Sequence, residues 1–252
     1  MARTFVATSF QYLSIDSTAV TAVPVSFSAW IYPASSHVGR IVGIGSTGNS
    51  YYFSLQTNGQ WIVMQTRDVG GTSGALSNAQ VTLNVWSHVA GVSAAVDSRF
   101  SWLNGVVGAE NTNSHTPVAL DRTRVAVYPP SNTQYFDGRI ADVAIWSAAL
   151  TADEIVALSK GVHPRRICPS ALKGFYPIWG LHSPEVDLSG LGNDLALAGA
   201  PARADDPPVE PFSRRWWGTI PLIETAPPPS GQPTMRRWGG VPGMMLTGRV
   251  GW

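Results

Sequence analysis

Gly43-Ile44-Gly45-Ser46-Thr47-Gly48 has the spacing of a phosphate-cradling glycine loop. That chemistry needs a helix N-terminus directly after the loop, and the chain runs instead into the strand-like Tyr51-Tyr52-Phe53, so the segment reads as a glycine-rich β-turn. Glu185-Val186-Asp187 puts two carboxylates on one face of an extended chain, the first requirement of glycoside hydrolysis. Position 190, however, is Gly rather than a further carboxylate, and Pro184 precedes a turn-like segment. The histidines His37, His88, His115, His163 and His182 lack close metal-ligand spacing, and no Gly-x-Ser-x-Gly elbow accompanies them. His88, close to Trp86 and Val89 in an alternating run, reads as a structural residue with satisfied hydrogen bonds. The lone Cys168 excludes an intrachain disulfide and a Cys-pair zinc site. No residue is assigned to catalysis, and the expectation is a non-enzymatic protein.

Two aromatic sets suggest binding instead. Tyr51, Tyr52, Trp61, Tyr128 and Tyr135 could offer ring faces to a sugar, whereas Trp30, Trp86, Trp102 and Trp146 sit in alternating strands and read as core. Tyr51, Tyr52 and Tyr135 are the candidate glycan contacts. The second set lies in a C-terminal stretch rich in Pro, Gly and Arg, with the clusters Arg214-Arg215-Trp216-Trp217 and Arg236-Arg237-Trp238 and the terminal Arg249 and Trp252. Guanidinium and indole groups are enriched at binding hot spots, and solvated tails are usually poor in aromatics. These residues are read as a partner-docking tail, with folding back onto the chain's own domain as the alternative.

Composition narrows the classes further. Of the 252 residues, hydrophobic types make up 44% and charged types only 13%, so the surface must rely on Ser, Thr, Asn, Gln and Gly. A net charge of +1 without a basic stripe argues against nucleic acid. Met1-Ala2-Arg3-Thr4 leads into an alternating segment without an apolar h-region, and no run of about 18 apolar residues occurs, so neither Sec export nor membrane insertion is expected.

The elements that must position these residues are short strands. Val25 to Tyr32 alternates, Arg40 to Ile44 and Ser50 to Gln56 read as strands, and the turn Thr57-Asn58-Gly59-Gln60 delivers the chain into Trp61 to Gln65. Gly70 to Asn78 reads as an exposed loop. Trp86 to Val92 and Arg99 to Gly105 alternate, the second ending in an Asn-Gly turn, and Tyr135 to Ser147 is one more strand. Thr151-Ala152-Asp153-Glu154 forms a capping box for one short helix that Gly161 stops. Regular strand spacing without intervening helices predicts an all-β sandwich.

The ordered series Phe27-Ser28-Ala29-Trp30-Ile31-Tyr32, Trp86-Ser87-His88-Val89-Ala90, Trp102-Leu103-Asn104-Gly105, Phe136 to Trp146 and Leu150 to Ile155 resembles the concanavalin A-like lectin/glucanase superfamily in its laminin-G or pentraxin-like form, over roughly residues 5–163. The resemblance implies a jelly-roll β-sandwich with one short helix, followed by an extended Pro/Gly/Arg/Trp-rich tail. The expected boundaries are 1–200 for the sandwich, with 172–200 as a closing strand and turn, and 201–252 for the tail. Relatives often hold calcium at the rim through hard oxygen ligands, which makes Asp97, Asn104, Asp142, Asp187 and Asn193 weak calcium candidates. Sandwich plus tail also resembles small structural proteins of tailed bacteriophages. That implies a virion-surface protein, a capsid decoration that docks by its tail on another virion or capsid protein and forms a homo-oligomer. The alternative is a lectin or adhesin whose rim loops, such as Gly70 to Asn78 and Asn111 to Thr116, contact surface glycans. Fold does not choose between them.

Overall fold

The computed structural model describes residues 2–208. The strands in chain order are β1 (Ala2–Phe5), β2 (Tyr12–Ile15), β3 (Val25–Pro33), β4 (Gly39–Gly45), β5 (Tyr52–Asn58), β6 (Trp61–Asp68), β7 (Gly71–Gln80), β8 (Ser87–Ala95), β9 (Ser98–Leu103), β10 (Val106–Val107), β11 (Arg122–Val125), β12 (Gly138–Trp146), β13 (Leu172–Tyr176), β14 (Ala196–Ala198) and β15 (Ala202–Ala204). One α-helix, α1 (Ala152–Ser159), follows β12.

Two antiparallel sheets stack face to face. The first runs β10-β9-β8-β3-β12-β1-β15 with β13 also on β12, and the second runs β14-β2-β11-β4-β5-β6-β7. Alternation explains which side chains meet between them: Phe27, Ala29 and Ile31 of β3 point inward against Phe53 and Leu55 of β5 and Ile62 and Met64 of β6. The chain is thus an all-β, two-sheet sandwich with one short helix.

The outer faces of the two sheets differ. On the first, Trp102, Trp146, Ala144 and Phe175 are covered by Ile155 and Leu158 of α1 and by Ile167. Trp146 Nε1 donates to the Ile167 carbonyl at 2.8 Å, which pins this cover down. The helix starts at the expected box: Glu154 N donates to Thr151 Oγ1 at 3.3 Å and Thr151 N to Glu154 Oε2 at 2.8 Å. Gly161, at φ 87°, stops it. Among the described residues no helix covers the second sheet's outer face around β4, β5 and β6.

The late segment takes part in both sheets, β13 on β12, β14 on β2 and β15 on β1, so strand pairing runs past residue 200 to Ala204. Arg3 ties it in. Its Nε donates to Glu185 Oε1 at 2.5 Å and its Nη1 and Nη2 to the Pro201 and His182 carbonyls, all at buried or half-buried positions.

Two local expectations need correction. Gly70 to Asn78 is not a loop: β7 pairs with β6 from Asp68 opposite Gly71 to Trp61 opposite Gln80. Its Gly, Ser and Thr content reflects an edge strand whose Gly74 sits so close to Val63 that an added Cβ would lie 2.5 Å from Val63 Cγ1. In the β5–β6 hairpin, Asn58 pairs with Trp61 as strand, and Gly59 alone supplies the positive φ, 61°.

Candidate functional site

The open outer face of the second sheet carries the site. Gly45, Tyr52 and Arg67 lie side by side across β4, β5 and β6, as do Gly43, Ser54 and Gln65, then Arg40, Gln56 and Val63. Strict alternation from Val42 would send Arg40 into the core. A β-bulge prevents it: Arg40 pairs with Gln56 and Val42 with Leu55, so both Ile41 and Val42 reach the core and Arg40 turns outward.

Tyr128-Pro129-Pro130 crosses this face. A Cβ on Gly43 would lie 2.6 Å from Pro129 Cγ, and one on Gly45 2.6 Å from Pro129 Cβ. The first two glycines of the Gly-x-Gly-x-x-Gly spacing therefore give clearance to a crossing loop, while Gly48 meets nothing. Seated there, the Tyr128 ring centroid lies 4.7 Å from the Arg40 guanidinium carbon and the Tyr52 centroid 4.9 Å, and the two rings meet edge-on at 5.1 Å.

Arg40 is 3% exposed and its partners are neutral. Nε and Nη2 both donate to Gln134 Oε1, at 2.9 and 2.7 Å, and Nη1 donates to Ser54 Oγ at 3.1 Å and Gln65 Oε1 at 3.0 Å. Tyr52 Oη donates to the same Gln65 oxygen at 2.5 Å. Burial lowers the Arg40 pKa from its ordinary value, with Tyr52 and Tyr128 opposing the shift, and the guanidinium stays charged. Burial likewise raises the Tyr128 phenol. Beside this cluster opens a depression of about 320 Å³, lined further by Val38, Gln56, Asn58, Arg67 and Gln134. Among the described residues Gln56 Oε1 is buried without a hydrogen-bond partner. No Asp or Glu is among the lining residues. Planar amides, two guanidinium groups and phenol edges around an open depression can accept and donate to several hydroxyl groups at once.

A family model described as Concanavalin A-like lectin/glucanases superfamily, of the laminin-G type, matches residues 7–156. The chain belongs to this superfamily. The Limulus polyphemus heptameric SAP-like pentraxin has a TM-score of 0.54 at 18% identity, with 65% of this chain and 83% of the pentraxin covered. A Bacteroides ovatus protein inferred to bind carbohydrate has a TM-score of 0.56 at 17% identity, over 81% of this chain and 61% of that one. At these identities the likeness is one of fold. Comparison with curated protein sequences finds no match.

Within this laminin-G-type sandwich the three tyrosines expected to contact glycan separate. Tyr52 is in the site, though 2% exposed, so it offers no open stacking face. Tyr51 is half-buried and packs against the main core. Tyr135, next to Gln134 in the chain, stacks edge-on with the exposed Phe10 at 5.4 Å and lies 6.1 Å from Tyr12. Trp30, Trp102 and Trp146 are buried as expected, and Trp86 is half-buried.

The calcium candidates do not assemble. Asp97 is exposed at the β8–β9 turn, Asn104 accepts from His88 N through Oδ1 at 2.9 Å, and Asp142 lies in the middle of β12 with its amide on the Pro177 carbonyl. Asp187 and Asn193 share a loop, but both Asp187 oxygens are occupied: Phe175 N and Ser189 N donate to Oδ1, and Ser189 Oγ and Asn193 N to Oδ2. Among the described residues no group of three or more His, Cys, Asp and Glu side chains could hold a metal ion. Glu185 is likewise bound by Arg3 and Gly180 N, so the Glu185–Asp187 pair shapes a loop.

The alternative's second rim loop, Asn111 to Thr116, is anchored at its two ends, with residues 112–114 exposed between them. Arg99 Nη1 donates to Asn111 Oδ1 at 2.6 Å, and Asp68 accepts from His115 Nδ1 and Thr116 N at 2.8 and 2.6 Å. His88 is less satisfied than expected: Nε2 meets Ser28 Oγ at 2.9 Å while Nδ1 has no partner among the described residues. The docking candidates Arg214, Arg215, Trp216, Trp217, Arg236, Arg237, Trp238, Arg249 and Trp252 lie outside the described residues.

Arg40, Gln56, Gln65, Arg67 and Gln134 were not singled out in the sequence. One signal was present: an Arg inside the otherwise apolar and glycine run Gly39–Gly45, followed by two consecutive aliphatics, is what a bulge re-aiming one side chain looks like.

Proposed function

We propose that this chain is a non-catalytic saccharide-binding module whose binding site is the depression around Arg40, Tyr52 and Tyr128. The observation that carries it is the open polar face itself, with the buried Gln56 Oε1 left as an acceptor for a ligand hydroxyl. Glycoside hydrolysis needs two carboxylates about the scissile bond, and the lining supplies none. On a glycan array the protein is expected to bind a restricted set of oligosaccharides, and Tyr128→Ala to lose that signal at least tenfold with its fold intact by circular dichroism. Unchanged binding by Tyr128→Ala removes the site from this depression.

A second reading, display on a virion surface, is favoured by the sequence of the tail, where Arg-Arg-Trp occurs twice. In that reading the tail docks on another virion or capsid protein in a homo-oligomeric array, and the sandwich faces outward. Co-sedimentation with particles should then be lost on truncation after residue 208 while glycan binding persists. Retained co-sedimentation contradicts the tail anchor.

A further inference from the structure

We infer that the Arg40 depression selects an acidic saccharide, one bearing a carboxylate or sulfate group that takes the place of the Gln134 side chain on the Arg40 guanidinium. The inference rests on the saccharide-binding reading and adds the charge of the ligand.

Three observations support it. First, the lining holds two guanidinium groups, Arg40 and Arg67, and no carboxylate. Arg67 is exposed and makes no ion pair among the described residues. Buried charges are normally paired: Arg3 and Arg124 meet Glu185 and Asp16, whereas Arg99, equally buried, lies away from this depression and is held by Ser73, Asn111 and the Val96 carbonyl. Arg40 meets only amides, a hydroxyl and aromatic rings. Second, the Gln134 amide oxygen accepts from Nε and Nη2 together, the edge on which a guanidinium grips an oxyanion. Gln134 is the exposed member of Arg40's hydrogen-bonding partners, at φ 50° in a surface loop, so it can swing away while Ser54 and Gln65 hold Nη1 in place. An anion there gains a charge-assisted bond where a neutral amide now sits, and one Nη2 hydrogen without a protein acceptor among the described residues adds to its hold. Third, the unpartnered Gln56 Oε1 lies on the same wall, across the strand pair from Arg40, and gives the ligand's hydroxyls an acceptor that an isolated anion would not use.

The test is calorimetric titration of the full chain with matched oligosaccharides: a uronate-bearing one, its carboxyl-reduced form, a sulfated one and a neutral one. Gln134→Glu places a carboxylate of the chain's own on the Arg40 edge, and Arg67→Gln removes the exposed charge without touching the buried one. Expected are binding of the uronate or the sulfated sugar, at least tenfold weaker binding after carboxyl reduction, a similar loss in Gln134→Glu with an unchanged or raised melting temperature, and a loss of several-fold in Arg67→Gln. The carboxylated and sulfated arms distinguish the two sources of charge, and preference for either supports the inference. Equal binding of neutral and acidic forms, unaffected by Gln134→Glu but abolished by Tyr128→Ala, overturns the charge selection and leaves the saccharide site standing. Binding of none of the four, at concentrations up to the millimolar range, overturns both.

Discussion

Arg40 and His88 are two buried ionisable groups kept in opposite states. Arg40 stays charged because its N–H groups are met by Gln134, Ser54 and Gln65. His88, fully buried with one ring nitrogen unpartnered, is held neutral, its pKa pushed down from 6.5 to about 3 by burial. The unfolded chain therefore takes up a proton near pH 6.5 that the folded chain refuses. The stability from neutral His88 is complete above that pH and is lost progressively as pH falls toward 3, at about 1.4 kcal/mol per pH unit. His163, lowered by burial and then by Arg165 and Arg166, acts in the same direction. Urea unfolding at pH 7 and pH 5 should differ by about 2 kcal/mol or more, and His88→Gln should flatten most of that difference. An unchanged pH dependence in His88→Gln contradicts this assignment. The histidine was legible in the sequence as structural, since it sits in an alternating run. Its missing partner was not, because whether Nδ1 meets an acceptor depends on residues distant in the chain.

At the scale of elements, the site is made by a bulge and a crossing loop, both of which depend on β4. Gly43 and Gly45 let Pro129 lie on the strand, and Pro129 fixes where Tyr128 sits over Arg40. Gly43→Val would force the loop outward. Overpacking of this kind costs about 1–3 kcal/mol, and saccharide binding should fall much further than that loss of stability implies. Thermal melts beside glycan titrations would check it, and a variant that melts early yet binds normally would show that Tyr128 is not positioned this way. Strands and helix were readable because alternation and capping are local. The Thr151–Glu154 box and the Asn104-Gly105 turn, with φ 51° and 81°, appear where the spacing predicts them. Edge strand β7 was misread as a loop because its small polar residues serve close packing against β6, a requirement set by the partner strand and not by its own pattern.

At the scale of the molecule, the two sheets present unlike outer faces among the described residues: α1 and the segment around Ile167 cover one, and the other carries a polar depression around β4 to β6. The superfamily could be recognised from the order of the strand motifs, because they report the shared core. The proposed binding face could not, since it is assembled from β4, β5, β6 and the loop from Tyr128 to Gln134, whose proximity only the strand order reveals. The calcium candidates are likewise dispersed over the fold: Asp97 and Asn104 sit at turns, Asp142 in the middle of β12 and Asp187 with Asn193 in a late loop. Closure of the sandwich by β13, β14 and β15 places Arg3 and Glu185 together away from solvent, an ion pair whose disruption leaves a buried charge. Arg3→Met should cost about 3–5 kcal/mol, measured by chemical denaturation, whereas a cost under about 1 kcal/mol would mean the late segment is not held by this pair.

The most direct measurement is a map of backbone amide chemical-shift changes in the labelled protein on titration with a bound oligosaccharide. Shifts concentrated at Arg40, Gln56, Gln65, Tyr128 and Gln134 are expected, with the Asn111–Thr116 loop and the Asp187–Asn193 loop unmoved. Shifts confined to those loops, with the Arg40 face silent, would contradict a binding site on the open sheet.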